Sequence, residues 1–310
     1  MANEAMSFFS PGFRRAWAAL LCVPLLACGG RGGGDSVVAA GPAPAPAPVP
    51  PAPPPPSPPP SPSPSQVPVG HVLVWSDEFD TDGLPDAARW DHDTGRNALG
   101  WYNNELQYYS APRAENAVAA GGKLRITARL EELRGATDWG GQRYTSARLL
   151  TRGRAAWTYG FFEVRAKLPC GRGTWPAIWT LGSGGVWPDD GEIDIMEQVG
   201  SNPGRVFGTV HTAQSGGPGT GGAVNVPDAC TAFHDYQLTW TAEQIAIGID
   251  GVIYYRYVNP RAGKFTWPFD KPQFLLLNIA IGGNLGGAVD DSIFPVAMEV
   301  EHVRVYQAKP

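Results

Sequence analysis

The part of the chain after residue 68 is predicted to form an all-β domain, an antiparallel β-sandwich or barrel. Apolar and polar residues alternate in Lys123–Leu130, Phe161–Leu168 and Gln244–Ile249, which is the pattern of half-buried strands. Helical periodicity is nearly absent, and Gly- and Pro-rich connections separate many short apolar segments. No repeat of fixed period is visible, which argues against a propeller or a solenoid.

Three further segments extend this prediction toward the C-terminus. Asp250–Gly251 lies between two strand-like runs, Gln244–Ile249 and Val252–Tyr257, which is a strong signal for a two-residue hairpin turn. Phe274–Ile281 is almost continuously apolar, as expected for a strand that is covered on both faces. Val300–Tyr306 alternates again and predicts a final strand.

The first 27 residues predict a secretion signal. Arg14 and Arg15 precede the apolar run Ala16–Ala27, which is shorter than the about 20 residues that a membrane-spanning helix needs. Leu25–Cys28 resembles the bacterial lipobox, in which the cysteine is acylated and becomes the mature N-terminus. We therefore expect Cys28 to carry a lipid, and an ordinary signal peptide cleaved nearby is the alternative.

Residues 28–68 are predicted to be a disordered linker. They are rich in Gly, Pro, Ala and Ser, and such a composition has little apolar surface to bury and favours extended polyproline II structure. Residues 69–310 remain as one folded domain with a substantial core. Together these features predict a monomer in the cell envelope or outside the cell. We expect a lipoprotein that is anchored in the outer membrane and contacts the membrane only through its lipid.

Charge and cysteine content exclude several classes of function. The formal net charge is −5 and no run of Lys and Arg follows the signal, so we expect no nucleic-acid partner. Cys170 and Cys230 remain as an even pair in an oxidising compartment, where a disulfide is plausible. His211, His234 and His302 are far apart in the sequence and match no zinc-binding pattern.

Three carboxylates in Glu192–Glu197 form the most informative pattern in the chain. In a strand, Glu192 and Asp194 point to one face while Ile193 and Ile195 point to the other. Strict alternation would place Glu197 on the apolar face. A β-bulge at Ile195–Met196 would return Glu197 to the face of the other two acids, and we predict one there.

Such a trio has the composition of a retaining glycosidase site. One carboxylate attacks the anomeric carbon and another protonates the leaving oxygen, while a third between them can hydrogen-bond the nucleophile and raise the pKa of the acid. The order of residues suggests Glu192 as nucleophile, Asp194 as auxiliary acid and Glu197 as acid/base. A calcium-binding or simply solvated acidic strand is the alternative interpretation.

Tryptophan is abundant in the predicted domain, which holds all but one of the eleven in the chain. Sugar rings pack their C–H faces on aromatic planes, so a carbohydrate-binding cleft is one explanation and a tryptophan-rich core is the other. We expect Trp75, Trp157 and Trp240 in the core. The candidates for the cleft are Trp101, Trp175, Trp179 and Trp187, which lie beside Gly, Asn and Pro residues.

Seven segments together resemble the laminarinase-type members of glycoside hydrolase family 16. In chain order these are Trp75–Asp80, Gly100–Tyr109, Tyr144–Arg148, Trp157–Glu163, Gly173–Trp179, Gly191–Glu197 and Ala280–Leu285. The resemblance extends from about residue 71 to residue 307. Glu192–Glu197 has the longer, bulged form that is typical of laminarinases, whereas lichenases and xyloglucan-active relatives have a shorter form.

The resemblance implies a β-jelly-roll whose concave sheet binds glucan, with retention of configuration and no cofactor for catalysis. It assigns the catalytic roles above to Glu192, Asp194 and Glu197. It also implies substrate contacts from Asn103, Arg148, Trp175, Trp179 and His211. We add Trp101 to these contacts as the cleft candidate named above. Asn284 matches a motif position too, but a turn residue is equally consistent, and Tyr102 stands where the family often has Gly.

Many members of the family bind a structural calcium ion away from the catalytic residues. The matching positions are Glu78, the Gly122 backbone and Glu301, where Asp is more usual than Glu. The substrate that the motifs favour is β-1,3-glucan or mixed β-1,3/1,4-glucan, cleaved by an endo-acting enzyme. The alternatives are another polysaccharide on the same fold, such as agarose or carrageenan, and a noncatalytic glucan-binding lectin.

Overall fold

A computed structural model describes residues 67–309. The predicted signal peptide, Cys28 and all but the end of the linker lie outside the described residues. Within residues 67–309, no helix is both long and apolar enough to cross a lipid bilayer.

The described chain consists almost entirely of strands. In order they are β1 (His71–Asp77), β2 (Asp91–His92), β3 (Gln107–Tyr109), β4 (Ala117–Ala119), β5 (Leu124–Leu130), β6 (Tyr144–Ser146), β7 (Arg148–Leu150), β8 (Gly160–Lys167), β9 (Thr174–Gly182), β10 (Glu192–Gln198), β11 (Arg205–His211), β12 (Thr220–Asn225), β13 (His234–Trp240), β14 (Gln244–Ile249), β15 (Val252–Val258), β16 (Gln273–Ile281) and β17 (Val296–Ala308). One short helix, α1 (Gly283–Gly286), and three 3₁₀ turns, Asn97–Leu99, Tyr102–Asn104 and Asp291–Ile293, complete the described elements.

The strands form two sheets. A ten-stranded sheet has the order β15-β14-β13-β8-β17-β5-β6-β3, with β1 also paired to β17 and β4 to β5. A seven-stranded sheet has the order β12-β11-β10-β9-β16-β7-β2. All pairs are antiparallel except β3 with β6. The predicted all-β antiparallel architecture is therefore confirmed.

The core lies between the two sheets and is built by alternation along each strand. In β8, Phe162, Val164 and Ala166 belong to the buried apolar cluster, while Glu163 and Arg165 point to the other face. The cluster draws on both sheets, which identifies the fold as a sandwich. Trp157 and Trp240 lie within it and Trp75 packs against it, as predicted.

The strand predictions agree with the structure where the pattern was clear. Asp250 and Gly251 have φ angles of 50° and 79°, the positive values that a type I′ hairpin turn requires, and they join β14 to β15. All nine residues of β16 are buried, so the continuous apolar run does belong to a strand covered on both faces. The final strand, β17, is longer than predicted, with 13 residues.

Cys170 and Cys230 are joined as a disulfide in the structure, with Cα atoms 5.8 Å apart. The bridge connects the β8–β9 loop to the β12–β13 loop. Gln198, at the end of β10, lies beside it and donates to the carbonyl of Pro169 at 3.3 Å. The side-chain oxygen of Gln198 accepts the Gly204 N–H at 2.8 Å, so the bridge borders the strand that carries the three acids.

Candidate active site

A β-bulge in β10 places all three acids on one face. On the β9 side the pairing moves from Asp194 to Met196, and Ile195 has no partner. On the β11 side Ile195 and Met196 together lie opposite the single residue Gly208. Both bulged residues are fully buried in the core. The predicted bulge at Ile195–Met196 is present, and it directs Glu197 away from the core.

The three acids lie on the outer face of the seven-stranded sheet, here called the acid face. Asp194 is 3% exposed and Glu197 is 8% exposed, while Glu192 at the start of β10 is half-buried. Acids are rarely buried to this extent unless they are paired or neutral. Their protonation therefore depends on the groups that surround them.

Each glutamate accepts a hydrogen bond from a tryptophan. The indole N–H of Trp187 donates to Oε2 of Glu192 at 2.6 Å. The indole N–H of Trp175 donates to Oε1 of Glu197 at 2.8 Å. An indole N–H can only donate, so the two indoles fix the orientation of the two carboxyl groups that catalysis would use.

The electrostatics of the acid face favour protonated acids at its centre. Burial raises the pKa of Asp194 well above its usual value, and the charge of Glu192 and a hydrogen bond to it add to the rise. Burial also raises the pKa of Glu197 well above its usual value, with a further rise from Asp194 and an opposing effect of the Trp175 hydrogen bond. Both shifts follow from the cost of ionising neighbouring acids out of water. A protonated Glu197 can act as a general acid.

His211 lies directly beside the acids. It is the partner of Glu192 in the β10–β11 register, and its Nε2 is 3.1 Å from Oδ2 of Asp194. Its Nδ1 is 3.2 Å from the carbonyl of Gly216, which can only accept, so Nδ1 carries the hydrogen. The ring of Trp187 lies 6.1 Å from the imidazole. Trp187 and His211 thus flank the start of β10.

An aromatic and cationic row extends from the acids across the sheet. Trp179 on β9 is the register partner of Asp194. The Arg148 guanidinium, on β7, lies 4.7 Å from the Trp179 ring and 5.2 Å from the Trp101 ring. Its Nε is 3.1 Å from Oδ2 of Asp93. Trp101 is only 6% exposed and the Arg148 side chain 11% exposed, so the half-buried ring of Trp179 is the surface of this row that can receive a sugar ring.

The Tyr102–Asn104 turn, which contains Asn103, meets the short helix α1 at Asn284. Asn103 is exposed in the Tyr102–Asn104 turn and has a φ of 58°. Asn104 donates to the side-chain oxygen of Asn284 at 2.8 Å, which fits the turn interpretation of Asn284. Tyr102 is 60% exposed, with the Arg96 guanidinium 4.5 Å from its ring. The bulk that Tyr102 adds to this loop therefore faces solvent.

The residues matched to a calcium site are already engaged by cations of the protein. Glu78 forms two hydrogen bonds with Arg304, at 2.9 and 2.7 Å, and Glu301 accepts one from Arg165 at 2.7 Å. Gly122 lies in the turn before β5. A calcium ion would have to displace a guanidinium from each carboxylate, so these residues fit the ion poorly. Calcium binding stays a prediction.

The sequence did not identify Asn278 and Asp93, which hold Trp179 and Arg148 in place. Asn278 accepts the Trp179 indole N–H at 2.8 Å and donates to the Tyr109 hydroxyl at 3.0 Å. The signal for it was present, since Asn278 is the one polar residue of the run Phe274–Ile281. Asp93 gave no such signal, because it comes next to Arg148 only through the pairing of β2 with β7.

Comparisons with known proteins place the chain among carbohydrate-active enzymes. The model of the family described as glycosyl hydrolases family 16 matches residues 107–292. A β-glucanase from Rhodothermus marinus is 52% identical over 251 residues, which cover 76% of this chain and 85% of the relative. The laminarinase structure from Rhodothermus marinus is 50% identical, with a TM-score of 0.73, and the match covers 77% of this chain and 98% of that one.

A second solved structure is similar over a comparable length. SCLam, described as a non-specific endo-β-1,3(4)-glucanase of the same family, is 50% identical with a TM-score of 0.77. The match covers 80% of this chain and 95% of that one. The similarity therefore includes both the sandwich and the strand that carries the acids.

Proposed function

The chain belongs to glycosyl hydrolase family 16, and from this membership we propose that it is a retaining, endo-acting hydrolase of β-1,3-glucan and mixed β-1,3/1,4-glucan. One observation carries the proposal. Glu192, Asp194 and Glu197 lie on one face of β10 only because of the bulge. The fold and family are those of jelly-roll β-glucanases, and the relatives described above act on laminarin-type and β-1,3(4)-glucans.

The proposed reaction is a double displacement. Glu192, held by the Trp187 indole, attacks the anomeric carbon while protonated Glu197 gives its proton to the leaving glycosidic oxygen. Water then enters, Glu197 accepts its proton, and the hydroxide displaces Glu192 with overall retention. Asp194 lies between them and, as a protonated neighbour, donates a hydrogen bond to Glu192 without adding a second negative charge.

The width of the sheet between the acids and the Trp179–Arg148 contact supports an oligosaccharide chain as substrate. Neighbouring strands are about 4.8 Å apart, so the three strand steps from β10 to β7 span about 14 Å. That span accommodates several sugar units on one side of the bond to be cleaved. We propose that Asn103, Trp175 and His211 complete the substrate contacts.

The substrate proposal is tested by product analysis. The purified protein should release oligosaccharides from laminarin faster than from xyloglucan, cellulose or agarose, and barley β-glucan should also be cleaved. Glu192→Ala, prepared identically, is the control for contaminating activity. Equal or greater activity on agarose or carrageenan would contradict the β-glucan specificity and leave the hydrolase itself intact.

We further propose that Cys28 anchors the domain to the outer membrane through a lipid and that residues 28–68 form a spacer. The lipobox-like Leu25–Cys28 and the Pro-rich composition support this. Cys28→Ser should release the protein from membranes without changing laminarin hydrolysis. Wild-type protein that is wholly soluble and carries no acyl group would contradict the anchor.

A further inference from the structure

Three side chains of the acid face could share one metal ion. One potential ligand atom from each of Glu192, Asp194 and His211 lies within 4.8 Å of the other two. Two carboxylate oxygens and an imidazole nitrogen form a mixed donor set. Such a set suits borderline transition ions such as Zn²⁺, Co²⁺ and Cu²⁺ better than Ca²⁺ or Mg²⁺, which prefer oxygen ligands alone.

The spacing of the two inner ligands is also that of two atoms that share a metal ion. Nε2 of His211 and Oδ2 of Asp194 are 3.1 Å apart, yet Oδ2 has no hydrogen-bond partner. Asp194 is 3% exposed, so water does not readily satisfy this oxygen. Two ligands about 2.1 Å from one zinc ion are about 3.0 Å apart at a right angle and about 3.4 Å apart at a tetrahedral angle.

The tautomer of His211 is also the one that a metal requires. Its Nδ1–H faces the Gly216 carbonyl at 3.2 Å, so Nε2 of the neutral imidazole presents a lone pair toward Asp194. Histidines that bind metals usually donate their other N–H to a carbonyl or a carboxylate in this way. The Gly216 carbonyl therefore orients the ring for coordination before any ion arrives.

The third ligand connects the cluster to catalysis. Oε2 of Glu192 accepts the Trp187 indole N–H at 2.6 Å, which leaves Oε1 to reach an ion. A divalent cation would replace the proton of Asp194 and its hydrogen bond to Glu192, and it would compensate the negative charge that both carboxylates then carry. An ion held there would occupy the group that attacks the substrate.

We propose that Glu192, Asp194 and His211 form an inhibitory binding site for one zinc-class divalent ion, which competes with glucan for the nucleophile. The inhibitory effect rests on the proposed function of the same residues. The binding itself does not, because it needs only the three ligands.

The test is a calorimetric titration of the full protein, without a histidine tag and after treatment with a chelator, with Zn²⁺. One ion should bind per chain, laminarin oligosaccharide should compete with it, and Zn²⁺ should inhibit laminarin hydrolysis competitively. Ca²⁺ and Mg²⁺ at the same concentrations should do neither. His211→Gln should weaken Zn²⁺ binding by at least about tenfold, because loss of even a group that only orients a ligand costs about 10- to 100-fold in metal affinity.

The chain offers a matched control. His234 also lies between two aspartates, Asp250 at 2.7 Å and Asp228 at 3.2 Å, so His234→Gln removes an equivalent imidazole elsewhere. Unchanged Zn²⁺ affinity in His211→Gln, or its loss in His234→Gln, would overturn the proposal. Glu192→Gln, which keeps the side-chain shape, provides a second variant if His211→Gln unfolds, and it too should bind Zn²⁺ more weakly.

These experiments can refute the proposed function and the proposed metal site independently of each other. Zn²⁺ binding without laminarin hydrolysis would refute the proposed function and leave the metal site. Laminarin hydrolysis without stoichiometric Zn²⁺ binding would refute the metal site alone.

Discussion

Glu192 and Glu197 have the same side chain but different surroundings. Glu192 is half-buried beside the exposed indole of Trp187, while Glu197 is almost fully buried beside Trp175 and Asp194. Burial raises the pKa of Glu197 well above its usual value, which suits a proton donor. Environments that separate two carboxylates in this way are how one site obtains both a nucleophile and an acid.

Removal of each glutamate should give a different azide product. Glu192→Ala abolishes attack, and azide in the vacated space should convert an activated β-glucoside into an α-glycosyl azide, because a single displacement inverts. Glu197→Ala still forms the covalent intermediate from a substrate with a good leaving group. Azide should intercept that intermediate and give the β-azide, because it needs no general base.

The anomer of each azide is read by proton NMR. Exchanged stereochemistry between the two variants would reverse the assignment of nucleophile and acid. Initial release of the α-anomer from β-glucan by the unaltered protein would show an inverting enzyme instead.

Trp187 should contribute to turnover through its N–H alone. Trp187→Phe keeps an aromatic ring next to His211 but removes the 2.6 Å hydrogen bond to Glu192. Hydrogen bonds to charged groups contribute about 1.5–3 kcal/mol, so kcat should fall about 10- to 100-fold with a smaller change in KM. The matched control is Trp139→Phe, which removes an indole bond to the Gln142 carbonyl. A kcat equal to that of the control would exclude this role.

At the level of elements, the bulge in β10 offsets the extra residue between Asp194 and Glu197. Removal of Met196 would leave acids at strict two-residue spacing, so all three would still share the acid face. Removal of Ile193 also deletes one buried apolar residue, but it sends Glu192 and Asp194 to opposite faces. Each deletion therefore removes one buried apolar side chain from the core. Only the deletion of Ile193 separates the acids onto two faces of the strand.

Of the two deletion variants, only the one that lacks Met196 should retain laminarin hydrolysis. Loss of the buried Met196 side chain should cost about 2–5 kcal/mol of folding free energy, yet laminarin hydrolysis should remain measurable. Loss of Ile193 should reduce kcat/KM by at least about a thousandfold. Circular dichroism is the control that checks whether both variants fold. Equal activities would refute the link between the bulge and the acid face.

The disulfide should stabilise the loops that border β10. Cys170 and Cys230 are 60 residues apart in the sequence, and closing a loop of that length contributes roughly 4 kcal/mol in the chain-entropy model and less in practice. Cys170→Ser with Cys230→Ser should lower the urea midpoint by a corresponding amount. Mass spectrometry of the unreduced protein should find no free thiol at either position, and two free thiols would contradict the bridge.

How far the sequence predicts these elements depends on whether the cause is local. The turn at Asp250–Gly251, the alternation in β8 and the acid spacing in β10 are local properties, and the structure agrees with each. The parallel pairing of β3 with β6 and the ion pair between Asp93 and Arg148 arise from contacts between distant segments. No short pattern encodes such contacts.

Contacts between distant segments also limit what the sequence predicts for the two acids matched to a calcium site. Glu78 and Glu301 match a motif position by position, but each carboxylate faces an arginine from another strand. The family motif specifies a ligand, and only the pairing of strands reveals the competing guanidinium group. Glu192, Asp194 and Glu197 did not present this problem because all three acids belong to one strand.

For the molecule as a whole, His234 connects the two sheets. It belongs to β13 of the ten-stranded sheet, and its ring lies between Asp250 in the β14–β15 turn and Asp228 in the loop that follows β12 of the seven-stranded sheet. Nδ1 bonds Asp250 at 2.7 Å, and Nε2 is 3.2 Å from Asp228 but poorly aligned for a hydrogen bond. The Asp250 hydrogen bond raises the pKa of His234, and burial opposes the rise.

The free energy of unfolding should therefore depend on pH through His234. A pKa raised on folding gives a contribution that is complete below the unfolded value of about 6.5 and is lost as the pH rises through the folded pKa. The stability difference between the unaltered protein and His234→Gln should thus shrink above about pH 6.5. Urea unfolding from pH 5.5 to 8.5 measures it.

His92 offers a comparison of opposite sign. Burial lowers the pKa of His92, so its contribution should be complete above about pH 6.5 and fade as the pH falls. The His234→Gln difference could instead follow the His92→Gln trend or show no pH dependence. Either result would contradict a stabilising contribution from protonated His234.

The pairing of β17 sets the order in which the domain can form. This strand of 13 residues pairs with β1, β5 and β8, so the ten-stranded sheet joins the first strand of the domain to the last. Pairings between distant segments slow folding, to milliseconds or seconds in small β-proteins. A ribosome must therefore synthesise residues 296–308 before the sheet can close. Until then the ten-stranded sheet lacks the strand that pairs with β1, β5 and β8, so the nascent chain exposes strand edges that the complete domain covers.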